Sequence, residues 1–325
     1  MAISMEDSLS RFHEQFEWHP IVDNASRLGT FHSFIVTGMG GSHLAADFIK
    51  KYAIDRDIQV HQDYGLPWVS ETRLRNTLFI ASSYSGSTEE TLDAVQMAFA
   101  KGMHVACIST GGPLLDFARK NNVPFVTIPD SGLEPRMAIG YSLLGLARLM
   151  GDSAIETIVR EGGKRADYRA QQIPGQQLAA KLVGKIPVVW SSNANGALAF
   201  IWKIKFNETA KIPAFRNVFP ELNHNEFTGL DVVDSTRELS SMLHIVMLVD
   251  PKDHPRVQKR MQIATEMLRA RNIAVDHVQL QGEDFEKIFS ASLLCDWVVL
   301  GLAQQYGVPI LETPLIAEFK KRMAK

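Results

Sequence analysis

Cysteine is nearly missing from this chain: two in 325 residues, Cys107 and Cys295, far apart in apolar stretches. A disulfide framework is therefore excluded, and both read as buried core thiols. No apolar run reaches the roughly 18 residues that a membrane-spanning helix needs. Charge of one sign is also lacking, because 34 basic residues stand against 36 acidic ones for a net charge of −2. That balance gives no electrostatic footprint for nucleic acid. Positive charge for an anionic ligand must then be local. The first residues, Met1-Ala-Ile-Ser-Met-Glu-Asp7, lack the basic region and apolar core of a signal peptide. A soluble, cytoplasmic protein without membrane partners is expected. Nucleotide and metal signatures are absent too. Gly38-Met-Gly-Gly-Ser42 has His43 where the dinucleotide fingerprint needs its third glycine, and no Gly-Lys-Ser/Thr follows. His-Glu-x-x-His is not found. No metal and no cofactor are expected.

What is present is an alternation of short apolar runs with helical patterns. Phe34–Thr37, Asp57–His61, Thr77–Ala81, His104–Ile108 and Pro124–Ile128 read as strands in the first half. In the second half Ile186–Trp190, Leu243–Val249 and Ile273–Leu280 do. Strand, helix, strand at this spacing predicts parallel sheets covered by helices on both faces. The expected fold class is α/β: two three-layer domains, each around a mainly parallel, five-stranded sheet. A length of 325 residues exceeds one ordinary core, so two domains are expected. We place them at residues 1–152 and 183–325, with the more polar 153–182 as a connector.

At the strand-to-helix turn after Thr77–Ala81 the chain reads Ser82-Ser-Tyr-Ser-Gly-Ser-Thr-Glu-Glu-Thr-Leu92. Ser87 with Glu90 has the spacing of a helix capping box, and Glu89 and Glu90 suit the positive end of the helix dipole. That leaves Ser82, Ser83, Ser85 and Thr88. A helix start ringed by hydroxyls, with Gly86 letting backbone come close, is also an anion site that needs no lysine. The glycine loop Gly38–Ser42 is a tight turn or a backbone surface for a ligand, with Ser42 as a donor. Both loops lie at carboxyl ends of strands, where open α/β sheets bind ligands. Arg136, in Ser131-Gly-Leu-Glu-Pro-Arg-Met137, follows the last strand of this half. It is an exposed arginine, or a cation that complements an oxyanion.

Two further residues attract attention in the second half. Glu208 lies near the end of the helix expected over Ala197–Lys211, where the dipole disfavours a carboxylate. It is either a solvated partner of Lys211 or a local misfit kept for chemistry. His224, in Phe219-Pro-Glu-Leu-Asn-His-Asn-Glu226, sits between two amides. There Asn223 caps a helix, or His224 is an acid/base group whose ordinary pKa suits that work.

Together, Gly-Met-Gly-Gly-Ser, Ser-Tyr-Ser-Gly-Ser-Thr-Glu-Glu-Thr, Glu-Pro-Arg, Asn-Glu-x-Ala-Lys and Asn-His-Asn-Glu resemble the bifunctional phosphoglucose/phosphomannose isomerase family, built from two sugar isomerase (SIS) domains. The likeness runs along the whole chain in order. The hydroxyl loop indicates only a phosphosugar site. The segments around Glu208 and His224 select this family. The resemblance implies that Gly40, Gly41, Ser42, Ser83, Ser85 and Thr88 bind the phosphate of a sugar phosphate. It implies that Glu208 is the base that moves a proton between C1 and C2 through a cis-enediol, that Arg136 stabilises the intermediate, and that His224 assists ring opening from the neighbouring subunit of a homodimer. Glu312-Thr-Pro-Leu-Ile-Ala-Glu-Phe-Lys320 is similar to the family's closing segment, which puts Thr313 and Lys320 at the site, with Lys320 near the ring oxygen. Ser87 stands where the family often has asparagine. The activity implied is interconversion of glucose 6-phosphate, and mannose 6-phosphate, with fructose 6-phosphate. A non-catalytic phosphosugar regulator or another SIS enzyme, such as a deglycase, would keep the hydroxyl loop without needing Glu208 and His224.

Overall fold

A computed structural model describes residues 4–323. Residues 1–3 and 324–325, to which the expected domain limits extend and on which part of the signal-peptide reading falls, lie outside the described residues. The chain forms two compact units, one of Ser10–Arg165 and one of Ser4–Leu9 with the chain from Ala166 onward.

The first unit is built on a six-stranded sheet. Its strands are β1 (Val22–Asp23), β2 (Ser33–Thr37), β3 (Asp57–His61), β4 (Thr77–Ser82), β5 (His104–Ser109) and β6 (Phe125–Thr127). The order is β1-β6-β5-β4-β2-β3, and all neighbours are parallel except β1 with β6. The five expected strands are the parallel ones. The sixth is a two-residue antiparallel edge, too short to leave a periodic signal in the sequence. Every residue of central β4 is buried, which is why it reads as an unbroken apolar run. Alternate residues serve opposite faces. Ile35, Phe79, Ala81 and Cys107 join one core with Ala94, Val95 and Ala98 of helix Glu89–Ala100 and Leu114 of helix Gly112–Lys120. On the other face, helix Ile139–Leu149 packs so closely at Gly145 that an added Cβ would lie 2.5 Å from Ile108. Burial pushes the Cys107 thiol far up, so it is an inert core group.

The second unit holds a four-stranded, wholly parallel sheet rather than the five strands expected. Its strands are β7 (Ile186–Ser192), β8 (Phe215–Phe219), β9 (Leu243–Val249) and β10 (Ala274–Gln279), in the order β10-β9-β7-β8. β8 was not anticipated. It is an edge strand whose first two residues, Phe215 and Arg216, are exposed, so it carries neither an apolar run nor a clean alternation. Among the described residues no strand follows helix Asp284–Tyr306. That helix begins earlier than its apolar stretch suggests, because the polar turn Asp284-Phe-Glu-Lys287 precedes it and Glu283 caps it with Glu286. One face of the sheet buries Trp190, Ile245 and Met247 against Met261, Ala264 and Leu268 of helix Pro255–Arg269. The stretch expected as a connector contains helices Ser153–Arg165 and Gln172–Leu182, one in each unit. Helix Gln172–Leu182 lies against helix Asp284–Tyr306, with Gly175 directly over the Trp297 Cβ.

A polar anchor ties β9 to β10. The Asp276 carboxylate meets His244 Nε2 at 2.8 Å and accepts from Lys181 Nζ at 2.6 Å. Burial pushes the Asp276 carboxyl up, but the hydrogen bonds from Lys181 and His244 outweigh it and hold it below its ordinary value. A carboxyl depressed in the folded state stabilises above the unfolded value, about 3.9, and loses that contribution as pH falls through the folded one. Asp276→Asn is therefore expected to lower the thermal midpoint by roughly 2–4 °C at pH 7. The difference from the parent protein should shrink below about pH 4. Calorimetry between pH 2.5 and 7 measures it.

Candidate active site

In the first unit the loops that follow β2, β4 and β5 interlock at the carboxyl ends of the strands. Ser82 Oγ donates to the Ser42 carbonyl at 2.8 Å, and the Tyr84 N–H donates to Ser42 Oγ at 3.1 Å. The Tyr84 carbonyl accepts from Thr110 N–H at 3.0 Å and from Thr110 Oγ1 at 2.8 Å. Leu114 N–H donates to the Gly86 carbonyl at 3.0 Å. Two glycines permit this. A Cβ on Gly38 would come 2.7 Å from the Ser82 carbonyl oxygen. Gly86, at φ +70°, has the Gly111 carbonyl oxygen 1.9 Å from where its Cβ would stand. The loop carrying Arg136 joins them, since a Cβ added to Gly41 would lie 3.5 Å from the Pro135 carbonyl oxygen.

The capping reading of Ser87 is corrected. The cap of helix Glu89–Ala100 is Thr88, and its side chain makes no capping hydrogen bond. Thr88 Oγ1 turns instead to Ser83 Oγ at 2.8 Å, and Ser83 Oγ also accepts from the Gly86 N–H at 3.1 Å. Ser87 is exposed, with its Oγ 3.1 Å from Ser85 Oγ. The first turn of a twelve-residue helix thus presents N–H groups that no side chain caps. Ser85 and Ser87 stand exposed beside them, and Ser83 is buried beneath. Such a start carries the positive end of the helix dipole and attracts an anion. Gly40, at φ +54°, has open space where a Cβ would point.

Arg136 is 3% exposed, so it is no solvated surface arginine. Its Nη1 lies 3.3 Å from Glu134 Oε2. A buried guanidinium with a carboxylate partner is a fixed cation.

The remaining candidates belong to the second unit. Glu208 is the last residue of helix Gly196–Glu208 and is half-buried. Lys211 takes a left-handed backbone at φ +57° just beyond, and its Nζ donates to the backbone carbonyl of Glu208. The lysine thus covers a carbonyl at the negative end of the helix. His224 is exposed in the turn Glu221–His224. The loop around it is held by Glu226, which accepts from Trp190 Nε1 at 2.8 Å and from Asn217 Nδ2. Asn223 accepts from Arg260 Nη1 at 3.3 Å through its side chain. It caps no helix, which removes the capping account of this loop. Thr313 is half-buried, and Lys320 is exposed on helix Pro314–Met323, none of whose residues is buried.

The structure therefore brings Gly40, Gly41, Ser42, Ser83, Ser85, Thr88 and Arg136 together in one unit. Glu208, His224, Thr313 and Lys320 lie in the other. Sequence reasoning passed over Tyr84 and Thr110, whose backbone and hydroxyl brace the hydroxyl loop. The Ser109-Thr110 pair after β5 was a visible signal, a second hydroxyl cluster at a strand end. Among the described residues, no group of three or more His, Cys, Asp or Glu is arranged to hold a metal ion. No helix among them is long and apolar enough to cross a membrane.

Residues 171–323 match the bacterial phospho-glucose isomerase C-terminal SIS domain. The chain is 36% identical over 291 residues to a bifunctional phosphoglucose/phosphomannose isomerase of Caldicellulosiruptor bescii, covering 84% of each protein. It is 31% identical over 322 residues to the protein of that description from Aquifex aeolicus, covering 97% of this chain and 96% of the other. Its fold is similar to that of tagatose-6-phosphate ketose/aldose isomerase from Escherichia coli, with a TM-score of 0.68 at 16% identity over 95% of this chain and 96% of that one.

Gly86→Ala combines a left-handed φ with a backbone clash, so it is expected to cost at least about 2 kcal/mol. Gly40→Ala meets only the conformational strain, about 1–2 kcal/mol. Urea unfolding of the two variants checks the order. A Gly86→Ala protein as stable as Gly40→Ala would contradict the loop contact.

Proposed function

The chain belongs to the bifunctional phosphoglucose/phosphomannose isomerase family, and we propose that it interconverts glucose 6-phosphate and mannose 6-phosphate with fructose 6-phosphate. It is an aldose–ketose isomerase, an intramolecular oxidoreductase. The observation that carries the phosphate end of this reading is the start of helix Glu89–Ala100. Its cap residue spends its hydroxyl on Ser83, leaving the first-turn N–H groups uncapped by side chains. A phosphate dianion supplies the acceptors that such a turn lacks. We assign Ser42, Ser83, Ser85 and Thr88 to this cradle, with Gly40 and Gly41 giving backbone access. Ser83 acts through Thr88 and Gly86, since its hydroxyl is already engaged with both.

Glu208 is the base in this proposal. It takes the proton from C2 of the open-chain aldose and returns it to C1, while the proton on the C2 oxygen departs and one reaches the C1 oxygen, so the sugar is conserved atom for atom. A single carboxylate suffices for both epimers when the same enediol forms from each. Arg136 compensates the negative charge that builds on the enediolate oxygens, a role suited to a cation already fixed and out of water. His224 moves a proton during ring opening, with Lys320 near the ring oxygen and Thr313 lining the pocket. A homodimer in which His224 serves the neighbouring subunit is consistent with its exposure. We place this chemistry in the cytoplasm, on soluble sugar phosphates.

The test is turnover of fructose 6-phosphate with glucose 6-phosphate and mannose 6-phosphate detected separately. Both products are expected from the parent protein. Glu208→Gln should lower kcat by about 10²–10⁴-fold and leave KM nearly unchanged. Near-normal turnover in that variant would refute the base assignment. Ser85→Ala removes one hydrogen bond to a charged ligand, so KM should rise about tenfold with kcat largely kept. An unchanged KM would detach the hydroxyl loop from the phosphate. Binding of the sugar phosphate without turnover would mark a regulator instead.

A further inference from the structure

Lys205 and Asp296 form a charge pair inside the second unit, the lysine 1% exposed and the aspartate 4%. Lys205 Nζ donates to Asp296 Oδ2 at 2.7 Å, to Ser292 Oγ at 2.7 Å and to the Ser292 carbonyl at 3.1 Å. A lysine ammonium has three donors, and here each has an acceptor. Taking both charges out of water is costly, and an apolar pair of similar volume is generally as stable or more so. Stability therefore does not account for the pair. What it has, and an apolar contact lacks, is direction.

We propose that the Lys205–Asp296 pair is a positioning device for Glu208, an inference that rests on the reading of Glu208 as the base. Lys205 precedes Glu208 by three residues, in the last turn of helix Gly196–Glu208. That helix is buried nearly all round, through Leu198, Ala199, Ile201, Trp202, Ile204 and Phe206. Apolar side chains let a helix slide or turn by small amounts, whereas three directed hydrogen bonds to helix Asp284–Tyr306 fix its rotation and height. The other end of the helix is held to the same long helix. Its cap residue Asn195 donates to Asp250 Oδ2 at 3.2 Å, and that oxygen accepts from Lys287 Nζ at 2.7 Å. Lys287 and Asp296 both lie on helix Asp284–Tyr306. The base-bearing helix is pinned at both ends by buried charge to one rigid partner. The precision matters because a misplacement of about 1 Å can cost about a hundredfold in rate.

The test replaces the pair by apolar residues, Lys205→Met with Asp296→Leu, in the full chain. The thermal midpoint, kcat and KM for fructose 6-phosphate are measured beside Glu208→Gln. The expected result is a midpoint kept or raised, a KM within about twofold of the parent's and a kcat reduced by about 10- to 100-fold. Parent-like kcat in the apolar pair, with Glu208→Gln inactive, would overturn this proposal alone. Turnover retained by Glu208→Gln would overturn the base assignment and the proposal with it. A lowered midpoint with kcat and KM both degraded would mark the pair as merely structural and overturn the proposal. Should the double variant not fold, Ser292→Ala decides, because it keeps both charges and removes one directed acceptor. A kcat lowered several-fold at unchanged KM supports the positioning role, and a full kcat overturns it.

Discussion

The contact on which the first unit's chemistry depends is between backbones. The segments after β2, β4 and β5 meet at Gly38, Gly86 and Gly112, closer than any side chain would allow. Because they meet, the Tyr84 carbonyl can be shared by the Thr110 N–H and hydroxyl, and Ser42 Oγ can take the Tyr84 N–H. These bonds hold the segment from Ser83 to Thr88 in one shape. That shape in turn lets Ser83 draw the Thr88 hydroxyl away from the helix it would otherwise cap. The anion site we propose at this loop is in that sense preorganised. Its donors are in place before the ligand arrives, so little ordering entropy is lost on binding.

The second unit shows what becomes of the corresponding strand ends when they are not used in this way. After β9 the chain reads Asp250-Pro-Lys-Asp-His254, with no run of hydroxyls. Asp250 turns inward to Lys287 and Asn195. Burial pushes its carboxyl up, but the bonds from Lys287, the Lys252 N–H and Asn195 win and hold it below its ordinary value. An internal carboxylate thus occupies the donors that an external anion would take. The unit commits its buried charge to fixing helices, and the residues we propose for its chemistry, Glu208 and His224, come from a helix end and a loop.

Legibility from the sequence followed the physics of each element. Strands β2, β4 and β5 of the first unit were readable because burial on both faces forces continuous apolar runs, whereas the edge strand β3 was readable from the alternation in Asp57-Ile-Gln-Val-His61. β8 was not, because an edge strand half exposed has no such constraint, and β1 is too short for any pattern. The hydroxyl loop was visible as a cluster of residue types in an unusual place. Which residue caps the helix was not, since Thr88 rather than Ser87 holds the position through the contact with Ser83, and that depends on a turn centred at Gly86. Arg136 was recognisable as a candidate, but its burial is set by loops distant in sequence. The Lys205–Asp296 pair was invisible for the same reason: the two residues are 91 positions apart, and neither sits in a motif.

Glu208 is the last residue of helix Gly196–Glu208. A carboxylate at the last position of a helix faces the partial negative charge of uncapped carbonyls, so local preference is against it. Lys211 meets one of those carbonyls directly, at Glu208 itself, and can do so only because the chain turns left-handed there. Lys205, one turn back, is held in the interior by Asp296 and Ser292. The Lys211 ammonium thus offsets part of the field that would disfavour the carboxylate, while Lys205, its charge met by Asp296, fixes the preceding turn. In the proposed reading the side chain of Glu208 is thereby held at one place at the end of its helix. A fixed position is what the proposed proton transfer between C2 and C1 asks of a carboxylate.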